Sequence, residues 1–309
     1  MQPLQLDLIN YFIPFTKYPY EGSQVACPVC ASEQHDPVAT LDRRLKRLTT
    51  CVCSHCGLLF TNPMPTDDEL AQYYSRYYRL DYQGARDTPK QGHLSKRIGE
   101  AEARAQHIGP QLIKGARTLD FGCGTGEFVA NMLDAGHDAH GFEPGQAYGR
   151  YAQGKLGDRI RIQRWQEIDY PFTFDLITCF HVLEHLKDPV VALQRMVSWL
   201  SPGGLIYVEV PNMGSTLPCK GFGGLHFAHV IGFNYHNLVY AAHRAGLEPS
   251  HVHSDTGIVF RRGRLSEPND EAKRGHDVAM SLFGNGNATR NYFKYQFSKI
   301  WGRPEPVAI

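Results

Sequence analysis

Thr118-Leu119-Asp120-Phe121-Gly122-Cys123-Gly124-Thr125-Gly126-Glu127-Phe128 decides how the chain folds. A short apolar run enters a turn with glycine at alternate positions, and Phe128, Val129, Met132 and Leu133 then recur at helical spacing until Gly136. The pattern is strand, glycine loop and helix. Without Cβ atoms the loop can turn sharply and admit a ligand against the amides that open the helix. The plainer alternative is a tight turn with no ligand.

The next stretch narrows the choice. Ala139-His140-Gly141-Phe142 reads as a second strand ending on Glu143, twenty-three residues after Asp120. A carboxylate at such a strand tip can accept hydrogen bonds from two ribose hydroxyls, as NAD or S-adenosylmethionine would require. The glycine spacing separates the two. Gly122-x-Gly124-x-Gly126 is not the G-x-G-x-x-G of pyrophosphate recognition, which argues against an NAD oxidoreductase.

These residues resemble the first motif and the ribose-binding strand end of class I S-adenosylmethionine-dependent methyltransferases. Three further matches follow in order: Phe174-Asp175-Leu176-Ile177-Thr178 as strand four, His181-Val182-Leu183-Glu184-His185 after it, and Pro202-Gly203-Gly204 before strand five. The resemblance implies an α/β fold, a Rossmann-like sheet with helices on both faces, over residues 116–260. It also implies cofactor contacts. Asp120 supports the methionine end, Gly122, Cys123, Gly124 and Gly126 line the cofactor, and Glu143 takes the ribose. Trp165 and Gln166 flank the adenine, although a Trp is less usual there, and Phe180 and His181 close the strand-four end.

A second signal precedes the core. Cys27-Pro28-Val29-Cys30 and Cys53-Ser54-His55-Cys56 are two knuckles twenty-two residues apart, the spacing of a closed tetrahedral thiolate site for structural zinc. Unrelated buried or redox cysteines are the competing reading. Cys51 and His55 are spare donors, and only Cys53 with Cys56 repeats the spacing of the first pair. Five of the eight cysteines fall in this one segment, which fits a reducing, cytoplasmic setting.

Beyond strand five, the Gly-rich run Lys220-Gly221-Phe222-Gly223-Gly224 suits a flexible loop over substrate, and His226, His229, Phe233 and Asn234 follow it. This layout resembles a methyltransferase subgroup with an N-terminal zinc ribbon and a His-x-x-x-Phe-Ser/Thr motif, including sugar C-methyltransferases and glycan-cluster methyltransferases. Here Asn234 replaces the hydroxyl residue. Methyl transfer needs an acceptor placed near the donor methyl and relieved of its proton, and neutral histidine can take that proton. His229 is the first candidate base and His181 the second, each against the reading of a hydrogen-bonded structural histidine.

The domain reading is an N-terminal segment (1–24), a zinc ribbon (25–62), a helical linker (63–115), the methyltransferase domain (116–260) and a partly helical tail (261–309). Within the linker, Thr66 to Leu70 starts a helix, Tyr73 to Tyr82 packs ribbon on core or walls a pocket, Asp87 to Lys96 is a polar loop and Arg97 to Leu112 a helix. With 32 Lys and Arg against 31 Asp and Glu, no strong field draws the protein to nucleic acid, and no apolar run is long enough for a membrane span. The expected partner is a small-molecule or sugar acceptor, methylated on carbon or oxygen. A zinc-ribbon RNA methyltransferase and a catalytically silent binding protein are the alternatives, and the sequence does not speak to oligomeric state.

Overall fold

The computed structural model describes residue 11 and residues 13–78, 91–254, 257–283 and 287–300. The cysteine-rich segment forms β1 (His35–Leu41), β2 (Arg47–Cys53) and β3 (Leu59–Thr61), an antiparallel meander with one knuckle just before β1 and the other where β2 ends, at the same end of the pair. Next comes α1 (Asp67–Arg76). Thr66 caps it by accepting from the Glu69 amide, while Glu69 reaches back to the Thr66 amide at 2.8 Å, and three acidic residues sit at the positive end of the helix dipole. The long helix α2 (Gln91–Ile108) then leads to the core. It begins inside the segment expected as a polar loop, because Leu94 and Ala101 give it a buried face; residues 87–90 lie outside the described residues.

The core strands are β4 (Arg117–Phe121), β5 (Asp138–Phe142), β6 (Ile160–Arg161), β7 (Phe174–Phe180) and β8 (Leu200–Glu209). A two-residue strand, β9 (Ile231–Gly232), precedes β10 (Leu247–Val252) and β11 (Gly257–Arg262). The sheet order is β10-β11-β8-β7-β4-β5-β6, with β11 antiparallel to both neighbours and the remaining pairs parallel. The helices between them are α3 (Glu127–Asp134), α4 (Gln146–Leu156), α5 (Pro189–Trp199), α6 (Met213–Lys220) and α7 (Tyr235–Arg244). The chain closes with α8 (Pro268–Phe283) and α9 (Asn287–Ile300).

Side chains that alternate along β7 show why helices cover both faces. Leu176 packs with Val129 of α3, Ala152 of α4 and Ala101 of α2, whereas Ile177 packs with Leu193 of α5 and Leu238 of α7. A strand covered on both faces is buried at successive positions, and β7 is so from Leu176 to Cys179, with Thr178 the one polar residue among them. The α/β fold is therefore the one the glycine loop implied. No described helix is long and apolar enough to cross a membrane.

Two features of the later chain differ from the sequence expectation. The Gly-rich run is not an open loop: α6 ends at Lys220, residues Gly221–Gly224 make a tight helical turn, and Phe222 stacks on Tyr292 of α9 at 3.8 Å. A Cβ on Gly221 would lie 2.0 Å from the Ala288 carbonyl oxygen, so glycine there serves close packing. The second difference is β9, which pairs with β3 and becomes the fourth strand of the N-terminal sheet.

Candidate active site

The carboxyl ends of β4, β5, β7 and β8 bring Asp120, Glu143, His181 and Glu209 to one edge of the sheet, where open α/β sheets take their ligands. Asp120 is buried and accepts from Thr178 Oγ1 at 2.8 Å. Burial pushes its carboxyl up to about 6, against the opposing influence of Thr178 and Arg104. Glu143 faces the glycine loop: one oxygen accepts from the Gly124 amide at 3.1 Å and the other from the Gly145 amide at 2.7 Å.

The three loop glycines differ in what they do. Gly124 has φ +56°, and a Cβ there would point into open space among the described residues, as a backbone that meets a ligand requires. At Gly122 a Cβ would strike Val182, and at Gly126 it would strike Leu156 and crowd Ala152 of α4. Cys123 turns its thiol into the core beside Val129. Trp165 is half-buried with its ring 6.2 Å from Phe121, Gln166 is exposed, and Phe180 lies 4.4 Å beneath the Arg104 guanidinium.

A histidine cluster adjoins this edge. His181 has φ +54°, a conformation that L residues seldom adopt, and its Nε2 is 3.0 Å from Glu209 Oε1. Glu209 is also forked by Arg104, with Nε at 3.0 Å from Oε2. Burial alone would lower the His181 pKa, but Glu184 and Glu209 outweigh it and lift the ring to about 9, so it carries a proton at neutral pH. His229 and His226 are driven the other way, chiefly by burial, and stay neutral.

Glu184 ties the cluster together. Its side chain is 2% exposed, and one oxygen lies 3.6 Å from His181 Nδ1 and 3.8 Å from Nε2 of both His185 and His229. His185 Nδ1 bonds the Ala228 carbonyl at 2.8 Å, and Tyr74 and Tyr78 present ring edges to the His185 face. The rest of the Tyr-rich run, residues 79–82, lies outside the described residues. Sequence reasoning singled out His181 and His229 and passed over Glu184, Glu209 and Arg104. A glutamate at the end of the apolar run of β8 was the available signal for Glu209.

At the N-terminal knuckles, Cys27, Cys30, Cys53 and Cys56 converge, with Sγ atoms 3.6 Å apart for Cys27 and Cys56 and 3.4 Å for Cys30 and Cys53. Thiolates about 2.3 Å from a tetrahedral zinc lie about 3.8 Å from each other, whereas a disulfide would need about 2.05 Å. The donor set therefore fits zinc. Cys51 stands apart, buried opposite Phe60 in the sheet.

Residues 93–252, just over half of the chain, match the family model of a methyltransferase domain. The chain belongs to that family. Among curated relatives, the methyltransferase is 27% identical over 117 residues to a ubiquinone biosynthesis O-methyltransferase of Xanthomonas euvesicatoria pv. vesicatoria, covering 35% of this chain and 49% of the relative. It is 30% identical over 123 residues to the Psychrobacter cryohalolentis enzyme of the same name, covering 37% and 48%. The chain thus spans about half the length of these relatives. Among solved structures, a sugar N-methyltransferase from Streptoalloteichus sp ATCC 53650 aligns with TM-score 0.45 and 17% identity, over 58% of this chain and 96% of that one. Magnesium protoporphyrin IX methyltransferase from Synechocystis PCC 6803 aligns with TM-score 0.48 and 12% identity, over 65% and 100%.

Proposed function

We propose that this methyltransferase uses S-adenosylmethionine to methylate a small-molecule or carbohydrate acceptor, with structural zinc in its four-cysteine knuckles. The carrying observation is the way His181 joins two sites: its backbone continues β7 out of the cofactor edge, and its ring reaches both Glu209 and Glu184. In this reading Asp120, the loop from Gly122 to Gly126, Glu143, Trp165, Gln166 and Phe180 bind the cofactor, which supplies the methyl group. The acceptor sits on the other side of His181, against His229.

Charge divides the work between the two histidines. A protonated His181 is a donor, suited to holding an acceptor oxygen or the cofactor carboxylate, while the acceptor loses its proton on the His229 side. Enclosure by Tyr74, Tyr78 and His185 supports a small acceptor, as does the near balance of charge over the whole chain. The test is incubation with isotope-labelled S-adenosylmethionine and a panel of nucleotide sugars and phenolic metabolites, read by mass spectrometry. Label on a small acceptor is the expected result. Absence of any calorimetric heat with S-adenosylhomocysteine overturns the enzyme reading, and label found only in RNA overturns the acceptor class.

A further inference from the structure

Glu184 is a buried carboxylate, and among the described residues neither of its oxygens has a hydrogen-bond partner. A polar group withdrawn from water needs partners that the polypeptide supplies only in part. His181 Nδ1 lies 3.6 Å away, and its Nε2 is committed to Glu209. The imidazoles of His185 and His229 are held 3.8 Å from one Glu184 oxygen, too far for a hydrogen bond. Two ligand atoms sharing a metal at about 2.1 Å lie about 3.4 Å apart, close to the 3.8 Å that separates the Glu184 oxygen from each of these imidazoles.

The orientation of the rings points the same way. His185 commits Nδ1 to the Ala228 carbonyl, which places an N–H on that nitrogen and turns Nε2 toward Glu184. Metal-bound histidines are oriented by this kind of bond on the far nitrogen. His229 also presents Nε2 to Glu184, its buried Nδ1 having no hydrogen-bond partner among the described residues, and the ligand atoms of Glu184, His185 and His229 lie within 4.8 Å of one another. His229 also lines a small cavity of about 10 Å³, shared with His226, Leu59 and Met213, which has room for about one water-sized group.

We propose that Glu184, His185 and His229 hold a divalent first-row metal ion, with a coordination position open to an acceptor hydroxyl. Two imidazoles and one carboxylate suit zinc, manganese or iron, and three protein ligands leave room for an exogenous oxygen. A hydroxyl bound there loses its proton to water more readily, because the cation stabilises the oxyanion that remains. Binding of the ion does not depend on the methyltransfer reading; its use on an acceptor does, and it favours oxygen over carbon as the methylated atom.

Manganese is the probe, since it disfavours the thiolate knuckles. Full-length protein carrying its cysteine-bound zinc is titrated with Mn²⁺, and loss of the free-ion electron paramagnetic resonance signal is followed. One saturable Mn²⁺ per chain is expected, displaced by added Zn²⁺, and weakened by at least about 10–100-fold in Glu184→Gln. Thermal melting checks that the variant folds; if it does not, the wild-type stoichiometry and the zinc competition decide. No saturable Mn²⁺ or second Zn²⁺ in the wild type overturns the site, as does unchanged binding in folded Glu184→Gln. Calorimetry with S-adenosylhomocysteine separates the two ideas. Cofactor binding without a second ion leaves His229 acting directly as a base, whereas ion binding without cofactor keeps the site and overturns the methyltransfer reading.

Discussion

Asp120 makes a prediction whose sign follows from its burial. Its carboxyl titrates near pH 6 in the folded protein instead of near 3.8, so the folded chain holds an extra proton between those values. That raised pKa contributes stability below about pH 4 that is lost as pH rises through 6. S-adenosylmethionine carries an ammonium and a sulfonium, which favour the carboxylate. Binding should therefore release a proton near pH 6 and weaken below it. Calorimetry in two buffers of different ionisation enthalpy measures the release, and Asp120→Asn should abolish it; an unchanged proton count in that variant would remove Asp120 from the cofactor site. Gly124→Leu tests the same cleft from the backbone. Its left-handed φ costs a side chain about 1–2 kcal/mol, and the side chain enters the open space of the loop, so cofactor heat should vanish while zinc content stays. Asp120, Gly124 and Glu143 were legible in the sequence because strand, turn and strand-end residues are neighbours along the chain. Glu184 and Arg104 were not, since their partners lie on other elements and no local pattern announces them.

Elements that look like appendages in the sequence turn out to share one joint. Asn234 caps α7 in a reciprocal box with Asn237, then donates Nδ2 to the Gly275 carbonyl of α8 at 3.0 Å, while Asn237 donates to the Gly57 carbonyl at 3.2 Å. The knuckle, the core helix and the tail helix meet there with little spare room: a Cβ on Gly275 would lie 2.7 Å from the Cys56 carbonyl oxygen. This explains why Asn can stand where the related motif has a hydroxyl residue, since the amide caps the helix as Ser or Thr would and adds a donor. Asn234→Ala should cost about 1 kcal/mol for the cap and about 1 kcal/mol more for the lost hydrogen bond to α8. Asn234→Ser should recover the cap alone. Denaturant melts of the two variants measure the difference, and equal stabilities would mean that the bond to α8 contributes nothing. The tail was readable as partly helical, but its role was not, because a glycine–glycine contact leaves no hydrophobic signature.

At the scale of the whole molecule, β9 joins the cysteine knuckles to the histidine cluster. It contributes two residues to the N-terminal sheet, and the Thr61 amide donates to the Val230 carbonyl at 2.9 Å, one residue beyond His229. A strand this short carries no periodicity, which is why the ribbon read as a separate module. With β9 in place, the knuckles hold the sheet that positions His229, whereas the cofactor edge is built by β4, β5 and α3 without them. Structural zinc contributes binding free energy of about 10 kcal/mol or more to small folded units. Its loss in Cys53→Ser should thus act on one half of the site. Hydrogen exchange should accelerate in residues 35–61 and 225–232, while residues 117–143 keep their protection and S-adenosylhomocysteine still binds. Methyl transfer should fall even so, because the acceptor side loses its support. If cofactor binding disappears together with the zinc, the two halves are not separable in this way, and if zinc content is unchanged, Cys53 is not a ligand.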